Sequence, residues 1–281
     1  MQITDLGGHS GCKILLCEDE SNFVFVRKVS SSGEYNARLA AQARKQMAFA
    51  FPSIRAPKVY REGYTEDGLF FFDMEHIQGI TLSEYMKSIR IGDIKRIVET
   101  LVCEISRNSQ SSKCADENAF FEKITMLRTE IGHKNDVIDD ALNMLAAHSW
   151  ARFVATPCHG DLTLENIIVK DNKLFLIDFL DSFYDCWILD ISTLMQDVQT
   201  LWAYRFETDL DINTVLRLIV FRDILMDTVK KNAPDDYMEI YYALLLKLLR
   251  IIPYTHDRYT YDYLIAKIKS VMDIVRGESA S

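Results

Sequence analysis

The residues best suited to chemistry lie in Cys158-His159-Gly160-Asp161-Leu162-Thr163-Leu164-Glu165-Asn166 and, a short way on, in Asp178-Phe179-Leu180. Between them, Ile167-Ile168-Val169 reads as a strand, Lys170 to Lys173 as a turn and Leu174 to Ile177 as the returning strand. Such a hairpin holds Asp161 and Asn166 near one of its ends and brings Asp178 back to that end. Three oxygen-bearing side chains then converge on a rigid support. Phosphoryl transfer needs such a set. One carboxylate orients a hydroxyl and accepts its proton, while a second carboxylate and an amide oxygen hold Mg2+ on nucleotide phosphates. Mg2+ prefers oxygen and takes few protein carboxylates.

Protein kinases arrange the same chemistry as H-R-D-x-x-x-x-N followed by D-F-G. Here the series is His159-Gly160-Asp161, four residues, Asn166, then Asp178-Phe179-Leu180, with glycine in the arginine's place. In that form the stretch resembles the aminoglycoside phosphotransferase and choline kinase family of small-molecule kinases. The resemblance implies an α+β, protein-kinase-like fold of two lobes, a small β-rich N-terminal lobe and a larger helical C-terminal lobe, with ATP and Mg2+ in the cleft. It implies Asp161 as the group that orients and deprotonates the acceptor, and Asn166 and Asp178 as metal ligands. His159 orients the loop or, as a second choice, serves as the base itself.

The remaining elements must position that set. Leu6-Gly7-Gly8-His9-Ser10-Gly11-Cys12-Lys13 is glycine-rich and opens into Ile14-Leu15-Leu16-Cys17, which suits a loop whose backbone N–H groups approach phosphates. Gly8, Ser10 and Gly11 are its candidate nucleotide contacts; a Walker-type order is absent. Phe23 to Val29 is the next strand, with Val24, Val26 and Lys28 on one side and Phe23, Phe25 and Arg27 on the other. Lys28, in preference to Arg27, resembles the phosphate-binding lysine of the kinase fold. After Ser30-Ser31-Ser32-Gly33, a helix is expected from Glu34 to Phe49. Kinases pair the strand lysine with a glutamate on this helix. Beyond Glu34 the helix has no acidic residue, so the partner of Lys28 is either Glu34 or a glutamine such as Gln42.

Pro52 and Pro57 frame a connection to a strand at Lys58 to Glu62, and Leu69 to Phe72 reads as a buried strand. Met74-Glu75-x-Ile77-x-Gly79 resembles the family's inter-lobe linker, which makes Met74, Glu75 and Ile77 candidates for holding the nucleotide base. Thr81-Leu82-Ser83-Glu84 has the form of a capping box. The expected lobes are thus 1–79 and 80–281. Residues 91–150 carry helical periodicity, with Ile97, Leu101, Val102 and Ile105 on one face. His133 and His148 are assigned no chemistry. Asp190, opening a helix after a segment too short for a protein-kinase activation loop, resembles the family's loop-bracing aspartate. Asp181 and Asp185 are either acceptor contacts or turn residues. Further helices fill the chain to Arg276, and the stretch from Tyr237 to Ile252 is apolar enough to demand burial.

Composition sets outer bounds. The chain has 281 residues, 48% hydrophobic and 26% charged, and a net charge of −9. Neither nucleic acid nor an anionic membrane is an expected partner of so acidic a chain. No apolar run reaches the ~20 residues of a membrane helix. Six cysteines without a C-x-x-C pair, and no leader segment, lead to the expectation of free thiols and a cytoplasmic location. The expected partner is a small-molecule hydroxyl acceptor: a sugar, an amino sugar or an amino alcohol such as choline. A nucleotide-binding module without turnover is the competing class, with an antibiotic-inactivating kinase or a protein kinase as further alternatives.

Overall fold

The computed structural model describes residues 2–7, 11–106 and 115–278. Its contacts divide the chain into two compact units, Met1–Tyr85 with His159–Asp161 and Glu165–Ser182, and Met86–Cys158 with Leu162–Leu164 and Phe183–Ser281.

The first unit holds both sheets among the described residues. One has five antiparallel strands in the order β1 (Gln2–Asp5), β2 (Lys13–Glu18), β3 (Val24–Val29), β6 (Phe70–Glu75), β5 (Val59–Tyr64). Strand β1 is exposed along its length, so nothing in its pattern announced it. It pairs antiparallel with β2, Gln2 opposite Glu18 and Asp5 opposite Leu15. Helix α1 (Asn36–Ala48) starts two residues later than expected. It lays Leu39 and Ala43 on a core of Cys12, Val26, Phe70, Phe72 and Met74. That packing places the two basic residues of β3 in different surroundings. Lys28 shares the Val26 side and is only 2% exposed. Arg27 lies on the other side, where its guanidinium grips Asp73 at 2.7 and 3.0 Å and stands 4.3 Å from the Phe71 ring centre. Arg61 meets the same carboxylate at 2.8 Å.

The second sheet is built on the expected hairpin, β8 (Ile167–Lys170) and β9 (Lys173–Leu176). Its turn residues Asp171 and Asn172 both adopt positive φ, 47° and 58°. A two-residue turn of that hand matches strand twist, and Asp and Asn tolerate it. Two short strands complete the sheet. β4 (Ile54–Arg55) runs parallel to β9, and β7 (Ile80–Thr81) antiparallel to β8. Thr81 then caps α2 (Leu82–Tyr85), its hydroxyl oxygen accepting from Glu84 N–H at 3.2 Å.

The second unit is helical: α3 (Ile91–Ser106), α4 (Glu117–Ile131), α5 (Asp136–Ala147), α6 (Trp187–Thr200), α7 (Ile212–Asn232), α8 (Tyr237–Ile251) and α9 (Arg258–Glu278). Pairs α6–α8, α3–α7 and α8–α9 make its main interfaces. α6 is buried on nearly all sides, and α8 is buried as its apolar sequence requires. Phe120 stacks on Trp150 at 4.5 Å. His148 stacks on Tyr242 and meets Glu239 at 2.7 Å, and His133 is a surface residue beside Asp139. Among the described residues, no helix is long and apolar enough to cross a membrane.

Gly79 has a steric reason to be glycine. A Cβ there would stand 2.5 Å from Ile168 Cγ2 and 2.7 Å from Val169 O, against the hairpin. Gly79→Ala is expected to lower stability by about 1–3 kcal/mol, the usual range for overpacking. Gly92, in the first turn of α3 with open space around it, provides the contrast. Gly92→Ala should gain roughly 0.5–1 kcal/mol in denaturant unfolding; equal effects at the two positions would refute the steric account.

Candidate active site

The described residues expected to bind nucleotide, to hold metal or to do chemistry all fall in the first unit. Gly8 and Ser10 lie outside the described residues. Gly11 adopts φ +74°, a value open to glycine at little cost, just before β2. Met74 is buried at the end of β6, and Ile77 is buried just beyond it. Glu75 ends β6 with its N–H on Lys58 O at 2.8 Å and its carboxylate accepting from Lys58 N–H at 3.3 Å. Glu75 is therefore anchored to the connection that enters β5.

Lys28 is the charged centre of the unit. Its ammonium donates to the side-chain oxygen of Gln42 at 3.3 Å and forms an ion pair with Asp178. A lysine can only donate, so Gln42 must turn its oxygen inward. Its nitrogen then donates to the Tyr35 hydroxyl at 3.1 Å. This settles the open alternative about the helix partner. Gln42 holds Lys28, whereas Glu34 lies in the turn that precedes α1. An amide binds the ammonium without cancelling its charge, so among the described residues it is the Asp178 carboxylate that balances it.

Asp178 sits at φ +60°, a conformation that is uncommon for a residue with a side chain. Its neighbours hold it there. Ile177 N–H donates to Asn166 O at 3.0 Å, and Leu180 N–H donates to His159 O at 3.1 Å. The buried Phe179 ring packs 5.0 Å from Phe49 and 4.4 Å from His159.

Asn166 points its amide nitrogen at Asp161, 2.8 Å from the backbone oxygen and 3.3 Å from the carboxylate Oδ2. A side-chain amide oxygen such as that of Asn166 is chemically able to accept a hydrogen bond or to ligate a metal. Among the described residues no group of three His, Cys, Asp or Glu side chains is gathered that could hold a metal. One carboxylate and one amide oxygen fit a hard cation that completes its shell with phosphate oxygens and water, as Mg2+ does.

His159 is fully buried, with both ring nitrogens engaged by backbone. Nε2 lies 2.7 Å from Ile177 O and so carries the proton, and Nδ1 accepts from Asp161 N–H at 3.3 Å. The imidazole ties the loop to the strand that delivers Asp178. This geometry favours the orienting role over the base. Gly160, at φ +95°, is pressed against Leu180; a Cβ there would stand 2.4 Å from Leu180 O. No arginine fits at that point.

Asp190 is buried in the first turn of α6. Asp197, two turns further on and not among the residues singled out from sequence, accepts the N–H of Leu164, which lies between Asp161 and Asn166 in the chain, at 2.7 Å. An acidic residue at seven-residue spacing from Asp190, in a helix with no other charged residue, was the available signal. Asp185 binds Thr156 N–H and the Cys158 thiol through its own oxygens, and Asp181 is exposed. Cys158 is buried, in keeping with a packing role.

Burial holds the His159 imidazole neutral, its pKa lowered from 6.5 to about 4. As pH falls, the unfolded chain takes up this proton first. The stability that neutral His159 contributes is present above pH 6.5 and is lost as pH falls towards 4. Between pH 7 and pH 4.5 wild type should lose about 2 kcal/mol more unfolding free energy than His159→Gln. Parallel losses in urea titrations would show that the imidazole is not held neutral.

The sequence matches the phosphotransferase enzyme family over residues 8–219. The fold is similar to that of an amicoumacin kinase in complex with AMP-PNP, Ca2+ and Ami, at TM-score 0.62 and 16% identity, covering 97% of this chain and 88% of that one. It is similar to a thermostable mutant of aminoglycoside phosphotransferase APH(4)-Ia in complex with AMP-PNP and hygromycin B, at TM-score 0.63 and 13% identity, covering 100% and 95%. A choline/ethanolamine kinase family protein from Mesorhizobium loti gives TM-score 0.58 and 16% identity, covering 97% and 88%. Comparison with curated proteins found no match. With well over half of its length matched, and with an α+β protein-kinase-like fold, the chain belongs to the phosphotransferase enzyme family.

Proposed function

We propose that this protein is an ATP- and Mg2+-dependent kinase that phosphorylates a hydroxyl group of a small molecule. One observation carries the proposal. Lys28, Asp161, Asn166 and Asp178 are all present, and each is held by a specific partner in the first unit.

In this reading Asp161, with Oδ2 steadied by Asn166, accepts the proton of the acceptor hydroxyl. Lys28 binds nucleotide phosphate through an ammonium whose charge Gln42 leaves intact. Its pair with Asp178 is what binding exchanges, the ammonium turning to phosphate and the carboxylate to the cation. Asn166 and Asp178 are the residues that would hold Mg2+, which offsets charge on the transferred phosphoryl group when bound. Gly11 flanks the phosphate loop, and Met74, Glu75 and Ile77 line the linker for the base. His159 stays neutral and keeps the loop in register.

For the acceptor, a sugar, an amino sugar or an amino alcohol is our first choice, and the net charge of −9 is compatible with a cationic one. An antibiotic is the second reading, favoured by the amicoumacin and hygromycin B complexes among the similar structures. A module that binds nucleotide without turnover is disfavoured by the full set of four polar residues.

The test is release of ADP from ATP and Mg2+ in the presence of pooled sugars, amino sugars, amino alcohols and aminoglycosides. Acceptor-dependent release is expected, and Asp161→Asn should reduce it by about 10²–10⁴-fold. Turnover unchanged in Asp161→Asn would remove the role given to that carboxylate. ATP that raises the melting temperature but is not consumed with any pool would favour the binding module.

A further inference from the structure

Helix α1 brings a second lysine to the site, Lys45, one turn beyond Gln42. Its ammonium donates to Leu180 O at 2.9 Å. A Cβ on Gly160 would stand 3.2 Å from the same ammonium and 2.4 Å from the same carbonyl, so Lys45, Leu180 and the Gly160 backbone meet at one point. The glycine makes this contact possible. The positive charge beside the His159-Gly160-Asp161 turn comes from α1 instead of from a side chain at position 160.

The segment that this bond holds is the one that presents Asp178. Residue 178 has φ +60°, and a non-glycine residue in that region persists only when its surroundings enforce it. Two anchors lie immediately after it, and both involve α1 or its end. Phe179 is buried against Phe49, the residue that terminates α1, and Leu180 is held by Lys45. The hydrogen bond from Lys45 is charge-assisted, which makes it the stronger kind of link to a carbonyl. α1 thus reaches two charged groups of the site, Lys28 directly through Gln42 and the segment carrying Asp178 through Lys45.

We propose that Lys45 is a positioning residue for metal-dependent nucleotide binding: by fixing Leu180 it fixes the carboxylate of Asp178. The inference rests on the kinase reading given above. Residues that orient a metal ligand typically contribute 10–100-fold to metal affinity.

The experiment is calorimetric titration of AMP-PNP, without acceptor, in Mg2+ and in EDTA, for wild type, Lys45→Met and Lys45→Arg. Wild type should bind more tightly in Mg2+. Lys45→Met should lose about 10–100-fold of that Mg2+-dependent gain while keeping its affinity in EDTA. Lys45→Arg should recover most of the gain, since a guanidinium can donate to the same carbonyl. A Lys45→Met protein with the wild-type gain overturns the proposal. So does an equal loss in Mg2+ and EDTA, the mark of a merely structural role. If Lys45→Met does not fold, Lys45→Gln, neutral and one atom shorter, is read by the same ratio. Absence of Mg2+-dependent binding in wild type itself would instead overturn the kinase reading.

Discussion

A buried ammonium is the constraint around which the first unit is arranged. Lys28 is almost fully removed from water, and an unpaired charge in that position costs several kcal/mol. Its two partners come from different parts of the chain, Gln42 from α1 and Asp178 from the end of the β8–β9 hairpin, 150 residues away in sequence. Satisfying that one charge requires α1 to lie on the Val26 face of β3. It also requires the hairpin to deliver its carboxylate to the same point. The sheet, the helix and the hairpin are therefore coupled through a polar contact as well as through the apolar core of Leu39, Ala43 and Phe72.

The turn that carries Asp161 is built on a different principle, saturation of backbone groups. The imidazole of His159 takes one backbone N–H and gives its own proton to one carbonyl. Asn166 binds the Asp161 backbone and side chain together, and Asp197 receives the N–H of Leu164. Gly160 and Asp178 both have positive φ, and each is flanked by hydrogen bonds that define its position. Such a site costs little reorganisation at the moment of reaction, because its dipoles already point where charge will develop.

The substitution of glutamine for the usual acidic partner of Lys28 changes the electrostatics more than the shape. With a carboxylate on the helix, the lysine would be neutralised before substrate arrives. With Gln42 it is neutralised by Asp178, a group whose proposed task is to hold a cation. In the proposed function the ammonium and the carboxylate would hold each other until phosphate and metal arrive, and the two binding events would be coupled through this pair.

Much of this was legible in sequence because the chemistry is local. Asp161 and Asn166 lie five residues apart, and two β-branched or apolar runs around Asp171-Asn172 can hardly be anything but a hairpin. Their identities and spacing determined the family, the fold class and the candidate site. Strands β1, β4 and β7 were not legible, since four exposed residues or two-residue ladders leave no periodicity to read. The choice of Lys28 over Arg27 leaned on strand alternation, but the choice of Gln42 over Glu34 needed the helix start and its rotation on the sheet. Asp197 and Lys45 were out of reach for the same reason. What each does is set by which backbone group stands opposite it, a long-range fact decided by packing of elements that the sequence specifies only one at a time.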